Sequence, residues 1–300
     1  MSLVLPLALP TALMSRIAGK GQSTREIDMA GRHCIGIDLG TRKSGVCSIV
    51  DKSIHHLKTA LTASLISTLT SLAKQVGTPS IVVVDVPIAA VEGSGFRLVD
   101  RVFMRGKFNN NHVGIQPNNP DLLAMGSVLE SLREWCAGCG IHYSNEFPGP
   151  RDGVLRETMP NVAFGMTANP TDLLATKAKL RFRFGRGKNI APVIVAFECL
   201  NGKVVEFFRP IQDAPRSWDA LEKKIGKVKG EQSDDLIAAL VCGTLAWWAC
   251  NTEEVGYVRE DRGHYLLPPR KAMENEWLDE LTVILQGDHF RDVKTNLAGP

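Results

Sequence analysis

Nowhere in the 300-residue chain is there a run of about 18 consecutive apolar residues, so the sequence offers no helix able to span a bilayer. An excess of charge is also lacking. The net charge is +3 and the pI near 8.4, too weakly basic for bulk charge to imply a nucleic-acid partner, so local clusters have to decide. No internal repeat is present. Nor do the cysteines form an even set. There are seven, in a chain large enough to bury a core without disulfide staples, which fits a reducing, cytoplasmic setting. The one close pair, Cys136 and Cys139 in "CAGCG", has neither a thioredoxin-like context nor a second ligand pair. It reads as a helix end carrying two inert thiols.

What is present is an ordinary globular composition, 44% hydrophobic and 22% charged. Leu3 to Leu13 is apolar, but Pro6 and Pro10 interrupt it and no basic residue precedes it, which is a poor match to a secretory signal. Residues 1–31 are expected to form a disordered leader, dispensable for folding; a degenerate organelle-targeting segment is the alternative. Residues 32–250 are expected to form the main domain, with insertions at about 92–120 and 150–230, followed by a C-terminal appendage over 251–300.

Arg32 to Leu39, Ser44 to Val50 and Ser53 to Leu57 read as three strands joined by tight turns, an antiparallel meander. Ala60 to Val76 carries leucines near helical spacing. Ser80 to Val86, "SIVVVDV", is a β-branched run typical of a central strand buried on both faces. Glu92 to Pro120 reads as a long functional or disordered loop. Asp121 to Ala137 reads as a helix and Ile141 to Phe147 as a strand. Pro192 to Cys199 and Lys203 to Arg209 read as a hairpin about Asn201-Gly202, and Glu231 to Cys250 as a long helix capped by Ser233. This order predicts an α/β fold: a mixed sheet, with a three-strand antiparallel meander then parallel strands, and helices on both faces.

Sites in such sheets lie beyond the carboxyl ends of strands. Asp38, Asp85 and Glu146 fall at such ends. Asp85 is the hardest to dismiss, because a charge inside an apolar run is costly unless paired, protonated or metal-bound. The plain alternative is that each aspartate ends its strand and caps a turn. Asp234 and Asp235 begin the last long helix, where acids are favoured on electrostatic grounds alone. Yet Ala238, Ala239, Cys242 and Ala246 follow Asp235 at helical spacing. Such a small-residue face lets the helix approach the sheet and brings Asp235 toward the strand ends. Converging carboxylates suit Mg2+ or Mn2+, which take oxygen ligands and serve phosphodiester displacement.

"IGIDLG" at Asp38, "VVVDVP" at Asp85, "EFP" at Glu146 to Pro148 and "DDLIAAL" from Asp234 occur in one order, with "GFRLVDR" at Gly95 to Arg101. Over roughly residues 32 to 250 the chain resembles a family of domains of unknown function (number four hundred twenty-nine), described as predicted nucleases of ribonuclease-H-like fold and distantly similar to RuvC-type resolvases. The resemblance implies that Asp38 bridges two metals, that Asp85 holds one, and that Asp235 completes the site. The RuvC helix often carries another acid where this chain has Gln232, a departure for which Asp234 is the candidate substitute. Glu146 matches the family's E-x-P element, without a defined role. "GIDLGT" at Gly36 to Thr41 also resembles the first phosphate loop of actin-like and sugar-kinase-like ATPases. Those need a second glycine-rich loop, which "DVPIAAVEG" does not supply.

Lys177 to Lys188 carries Arg181 and Arg183 alternating with Phe182 and Phe184. It reads either as a nucleic-acid strand with stacking rings or as a guarded edge strand. A second basic cluster ends at Lys229, and a third holds Arg97 and Arg101. Together they predict a phosphate-rich substrate, DNA or RNA, with Arg97, Arg101, Lys229, Arg181 and Arg183 as its contacts. The expectation is a metal-dependent nuclease; a non-catalytic binding module on the same fold is the alternative.

Overall fold

The computed structural model describes residues 32–88, 96–110, 126–147, 149, 151–170, 202–214 and 231–297, with backbone alone at 109, 110, 202 and 231–234. The expected leader over 1–31 and the segment carrying Arg181 and Arg183 lie outside these residues, as does Lys229.

Strand β1 (His33–Asp38) pairs antiparallel with β2 (Lys43–Val50), and β2 pairs with β3 (Ser53–Leu61), so the expected meander forms. Asp51 turns the β2–β3 hairpin at φ 56°, a left-handed conformation that a short polar side chain tolerates. β3 runs on to Leu61, so the helix expected from Ala60 begins later, as α1 (Leu65–Val76). Strand β4 (Ile81–Val84) then lies parallel beside β1, fully buried as its β-branched sequence demands. Each of its side chains contributes about 1.5–3 kcal/mol through burial.

Between β4 and the next strand come α2 (Leu98–Val102), α3 (Gly106–Asn110) and α4 (Gly126–Gly138). Two short helices therefore occupy the described part, residues 96–110, of what reads in sequence as a long functional or disordered loop over Glu92 to Pro120. Val99, Val102, Phe103 and Phe108 are buried, and their burial outweighs the glycine- and asparagine-rich composition. Strand β5 is only His142–Tyr143, shorter than the expected Ile141 to Phe147. Strand β6 (Val154–Glu157) is the main correction to the expected organisation. Residues 150–230 were expected to be an insertion, yet β6 lies inside the sheet, parallel to both β4 and β5. Short α5 (Pro160–Gly165) follows it. Lys203 to Arg209 is not a strand. It falls within and just beyond α6 (Gly202–Phe208), whose Val204, Phe207 and Phe208 are buried at helical spacing.

The main sheet has the order β3-β2-β1-β4-β6-β5, antiparallel first and parallel after. Alternating side chains divide its two faces. Ile35, Ile37, Val46, Val82 and Val84 pack with Leu65 and Leu69 of α1 and Leu132 of α4. Cys34, Cys47, Ile49, Ile81 and Val83 pack with α7 (Glu231–Asn251). Ser233 lies inside α7 rather than at its cap.

The last fifty residues are no appendage. Strands β7 (Gly256–Glu260), β8 (Gly263–Leu267) and β9 (Lys294–Asn296) form a second sheet of order β8-β7-β9, bridged to the main sheet at Thr158 and Leu266. Helix α8 (Asn275–Leu285) buries Trp277, whose indole donates to the Ala168 carbonyl at 2.7 Å. The described residues from 32 to 297 fall within one compact unit. Among the described residues no helix is long and apolar enough to cross a membrane.

Candidate metal centre

Register sets the site. Ile37 of β1 pairs with Val84 of β4, and Val84 with Glu157 of β6. The carboxyl ends of three parallel strands therefore finish side by side: Asp38 and Asp85 each stand one residue beyond the Ile37–Val84 pair, and Glu157 stands level with that pair. The Asp85 amide donates to the Ile37 carbonyl at 3.2 Å, extending the ladder by one residue. Its carboxylate accepts the Leu39 amide at 2.7 Å. Asp85 thus closes the end of β4 onto the end of β1 through both backbone and side chain.

The Asp38 and Asp85 carboxyls lie within hydrogen-bonding reach of each other, and two acids this close disfavour full ionisation of both. Asp85 keeps part of its surface open, but its carboxyl is enclosed by protein. Burial raises its pKa above the ordinary value, against the hydrogen bonds from Asp38 and from the Leu39 and Asp85 amides. Both carboxyls face α7. Burial first, and then the charges of Asp85 and Asp38, push the Cys242 thiol far upward.

Close approach of α7 follows from small residues on both partners. A Cβ at Gly36 would collide with the Gly243 amide and the Ala239 carbonyl, and one at Gly45 with the Asp235 carbonyl. Gly45 is the register partner of Asp38. The backbone of Asp235 therefore sits one strand away from Asp38, as the small-residue face of α7 predicts, and its side chain is half-buried. The side chain of Asp234 lies outside the described set. Among the described residues, no group of three or more His, Cys, Asp or Glu side chains is arranged to hold a metal ion. The geometry is that of a carboxyl pair, with the backbone of Asp235 one strand away.

Glu146 does not occupy a strand end. It lies beyond β5 on an exposed loop, because β5 stops at Tyr143. The acid at the end of β6 is Glu157, which sequence reasoning missed; its register with Val84 puts it on the opposite face from the Asp38–Asp85 pair. "VLRE" is too short to show a period, and only the apolar Val154-Leu155 after Gly153 signals a strand. Glu157 is fully buried. It accepts Tyr143 Oη at 2.5 Å and Arg97 Nη1 at 2.7 Å, and its amide donates to His264 Nε2 at 3.1 Å. Burial raises its pKa, opposed by Arg97 and Tyr143.

Arg97 is likewise not a substrate contact. It is 1% exposed and bound to Asp100, Glu157 and Tyr265, with Nη2 donating to Tyr265 Oη at 2.7 Å. A guanidinium buried among two carboxylates and a phenol is used structurally, and these partners more than reverse the lowering that burial imposes on it. Arg101, one turn along the same helix, is exposed and remains available to a ligand. The same network holds His264 neutral, through burial and then the charges of Arg156, Arg97 and Arg259.

Neither a scan of protein-family models nor searches of curated proteins and of solved structures find a significant match to this chain.

Proposed function

We propose that this protein is a divalent-metal-dependent nuclease, hydrolysing phosphodiester bonds of DNA or RNA on a ribonuclease-H-like sheet. The observation that carries the reading is the Asp38–Asp85 pair, in contact across the adjacent ends of parallel strands and facing the helix whose Asp235 backbone lies one strand away. The mixed sheet, antiparallel then parallel, is compatible with that fold.

The donor set fits Mg2+ or Mn2+. Mg2+ is commonly held by one or two carboxylates, several waters and substrate phosphate oxygens, rather than by a full protein cage. Asp38 and Asp85 would hold the ion, with Asp235 and Asp234 as further oxygen ligands. The metal would supply charge stabilisation of the displacement and an activated water. The resemblance to the four-hundred-twenty-ninth family of domains of unknown function, and the basic clusters ending at Lys229 and around Arg181 and Arg183, support a nucleic-acid substrate. The role of Glu146 there is limited to its exposed loop, near Arg156. Gln232, where related helices carry an acid, favours a second reading: a binding module on the same fold that has lost catalysis.

The test is cleavage of a panel of single-stranded, duplex and branched DNA and RNA with Mg2+ or Mn2+. Asp38→Asn is nearly isosteric and keeps the hydrogen-bonding shape while removing charge. Cleavage should fall by more than about 100-fold, with nucleic-acid binding retained. Binding without any cleavage by the wild type would select the non-catalytic reading, and equal cleavage by the variant would remove Asp38 from the site.

A further inference from the structure

Of the seven cysteines, the pair adjacent in sequence is chemically quiet. Cys136 is buried and held up at about 12 by burial and by Cys139. Burial raises Cys139 too. The packing of α7 against β1 creates a second pair from opposite ends of the domain. The N-terminal end of α7 lies over Gly45 and its middle over Gly36, so the helix runs antiparallel to β1. Its last turn consequently returns to the start of β1. There Cys250 meets Cys34, and the two thiols are hydrogen-bonded to each other.

The surroundings of Cys250 differ from those of every other described cysteine. Arg32 donates from Nη1 to the Cys250 carbonyl and lies 3.9 Å from its sulfur. Asp152 Oδ1 is 3.7 Å from the same sulfur. Asp152 is exposed and Arg32 half-buried, so solvent is one side chain away, although both cysteines are themselves buried. The Cys34 hydrogen bond lowers the Cys250 pKa despite burial, while the same contact raises Cys34. With Arg32 and Asp152 at its sulfur, between it and solvent, Cys250 is placed as the attacking thiol and Cys34, within β1, as the resolving one.

We infer that Cys34 and Cys250 form an oxidative modification site, in which a hydroperoxide converts the thiol pair to a disulfide that ties the start of β1 to the end of α7. The Cys250 thiolate attacks the peroxide oxygen. The O–O bond breaks, and a sulfenic acid forms with release of hydroxide, which takes up a proton to become water. Cys34 sulfur then attacks the Cys250 sulfur, the S–O bond breaks, and the oxygen leaves as a second water, with one proton from the Cys34 thiol. Two thiols lose two electrons and two protons, and one peroxide is reduced to two waters.

The experiment treats the folded full chain with stoichiometric hydrogen peroxide, blocks remaining thiols after denaturation, and maps peptides by mass spectrometry. The expected product is a Cys34–Cys250 cross-linked peptide, reversible by dithiothreitol, formed before any Cys136–Cys139 link. The oxidised protein should melt about 5 °C or more above the reduced one, because the bridge closes a loop of most of the chain. Cys34→Ser should leave Cys250 trapped as a sulfenic acid, captured by dimedone, and Cys136→Ser should change nothing. A Cys136–Cys139 link forming first, or a Cys34–Cys250 link appearing only in denaturant, would overturn the inference.

Discussion

Asp85 and Arg97 show opposite ways in which a buried charge is made tolerable. Arg97 is satisfied by fixed protein partners. Arg97→Ala would leave Glu157 and Asp100 buried without their counter-charge, and a loss of about 3–5 kcal/mol is expected in urea denaturation. A loss under about 1 kcal/mol would show that these acids simply take up protons. Asp85 instead lies against the Asp38 carboxyl with its own pKa raised by burial, and its stability contribution depends on pH. The folded state holds the Asp85 proton more tightly than the unfolded chain does. Its contribution is therefore complete below the ordinary value near 3.8 and is lost as pH rises through the raised folded value. Asn cannot ionise but still accepts the Leu39 amide. In metal-free buffer, Asp85→Asn should gain stability relative to wild type at pH 7, and that gain should shrink as pH falls toward 4. His264, held neutral in both proteins, acts with the opposite sign and cancels in the comparison. A difference independent of pH would mean that Asp85 stays ionised throughout.

At the scale of elements, α7 is the part that packs over the Asp38–Asp85 pair. Its contact with β1 and β2 is made backbone to backbone, through Gly36, Gly45, Ala239 and Gly243. Gly36→Ala places a methyl group on the Gly243 amide, which no rotamer change can clear. The helix must move outward or the strand must bend. The expected cost is at least about 1–3 kcal/mol, as in overpacked cores. Because the same movement carries Asp235 away from Asp38, the variant should lose metal-induced stabilisation even where it remains folded. Retained metal response at wild-type strength would place Asp235 outside the metal centre. Cys47, beneath Gly243, makes the matching point from the sheet side, where a Cβ at Gly243 would lie 2.8 Å from its sulfur.

For the whole molecule, the proposed metal can be tested through stability. An ion that binds only the folded state stabilises it by about 2.7 kcal/mol at a hundredfold excess over Kd. In a domain of this size that is a rise in Tm of roughly 5–10 °C. Mg2+ or Mn2+ should produce such a rise in wild type and little in Asp38→Asn, measured by differential scanning calorimetry without nucleic acid. No rise in wild type would remove the metal from the proposal before any substrate is sought. The second sheet belongs to the same cooperative unit. Tyr265 Oη donates to Asp100 Oδ1 at 2.5 Å and the Leu98 amide donates to Glu260 at 2.6 Å, so β7 and β8 hold the segment that follows β4.

Local chemistry determined the meander, the apolar strand ending in Asp85 and the long small-faced helix. Each rests on a pattern that persists over several residues: β-branched runs, tight turns, and alanines and a cysteine at helical spacing. Those patterns also singled out Asp38, Asp85 and Asp235, of which the fold brings the first two into contact. Tertiary structure decided what short segments do. "VLRE" becomes an inner strand because β4 and β5 supply hydrogen-bonding partners on both sides, and "KVVEFFR" becomes helical because Val204, Phe207 and Phe208 find a core at that spacing. It also decided which charges face inward. Arg97 sits in a basic cluster by sequence, but Glu157 and Tyr265, distant along the chain, turn it into the interior. The meeting of Cys34 with Cys250 has the same cause: a helix packed antiparallel on a strand joins residues that no local pattern relates.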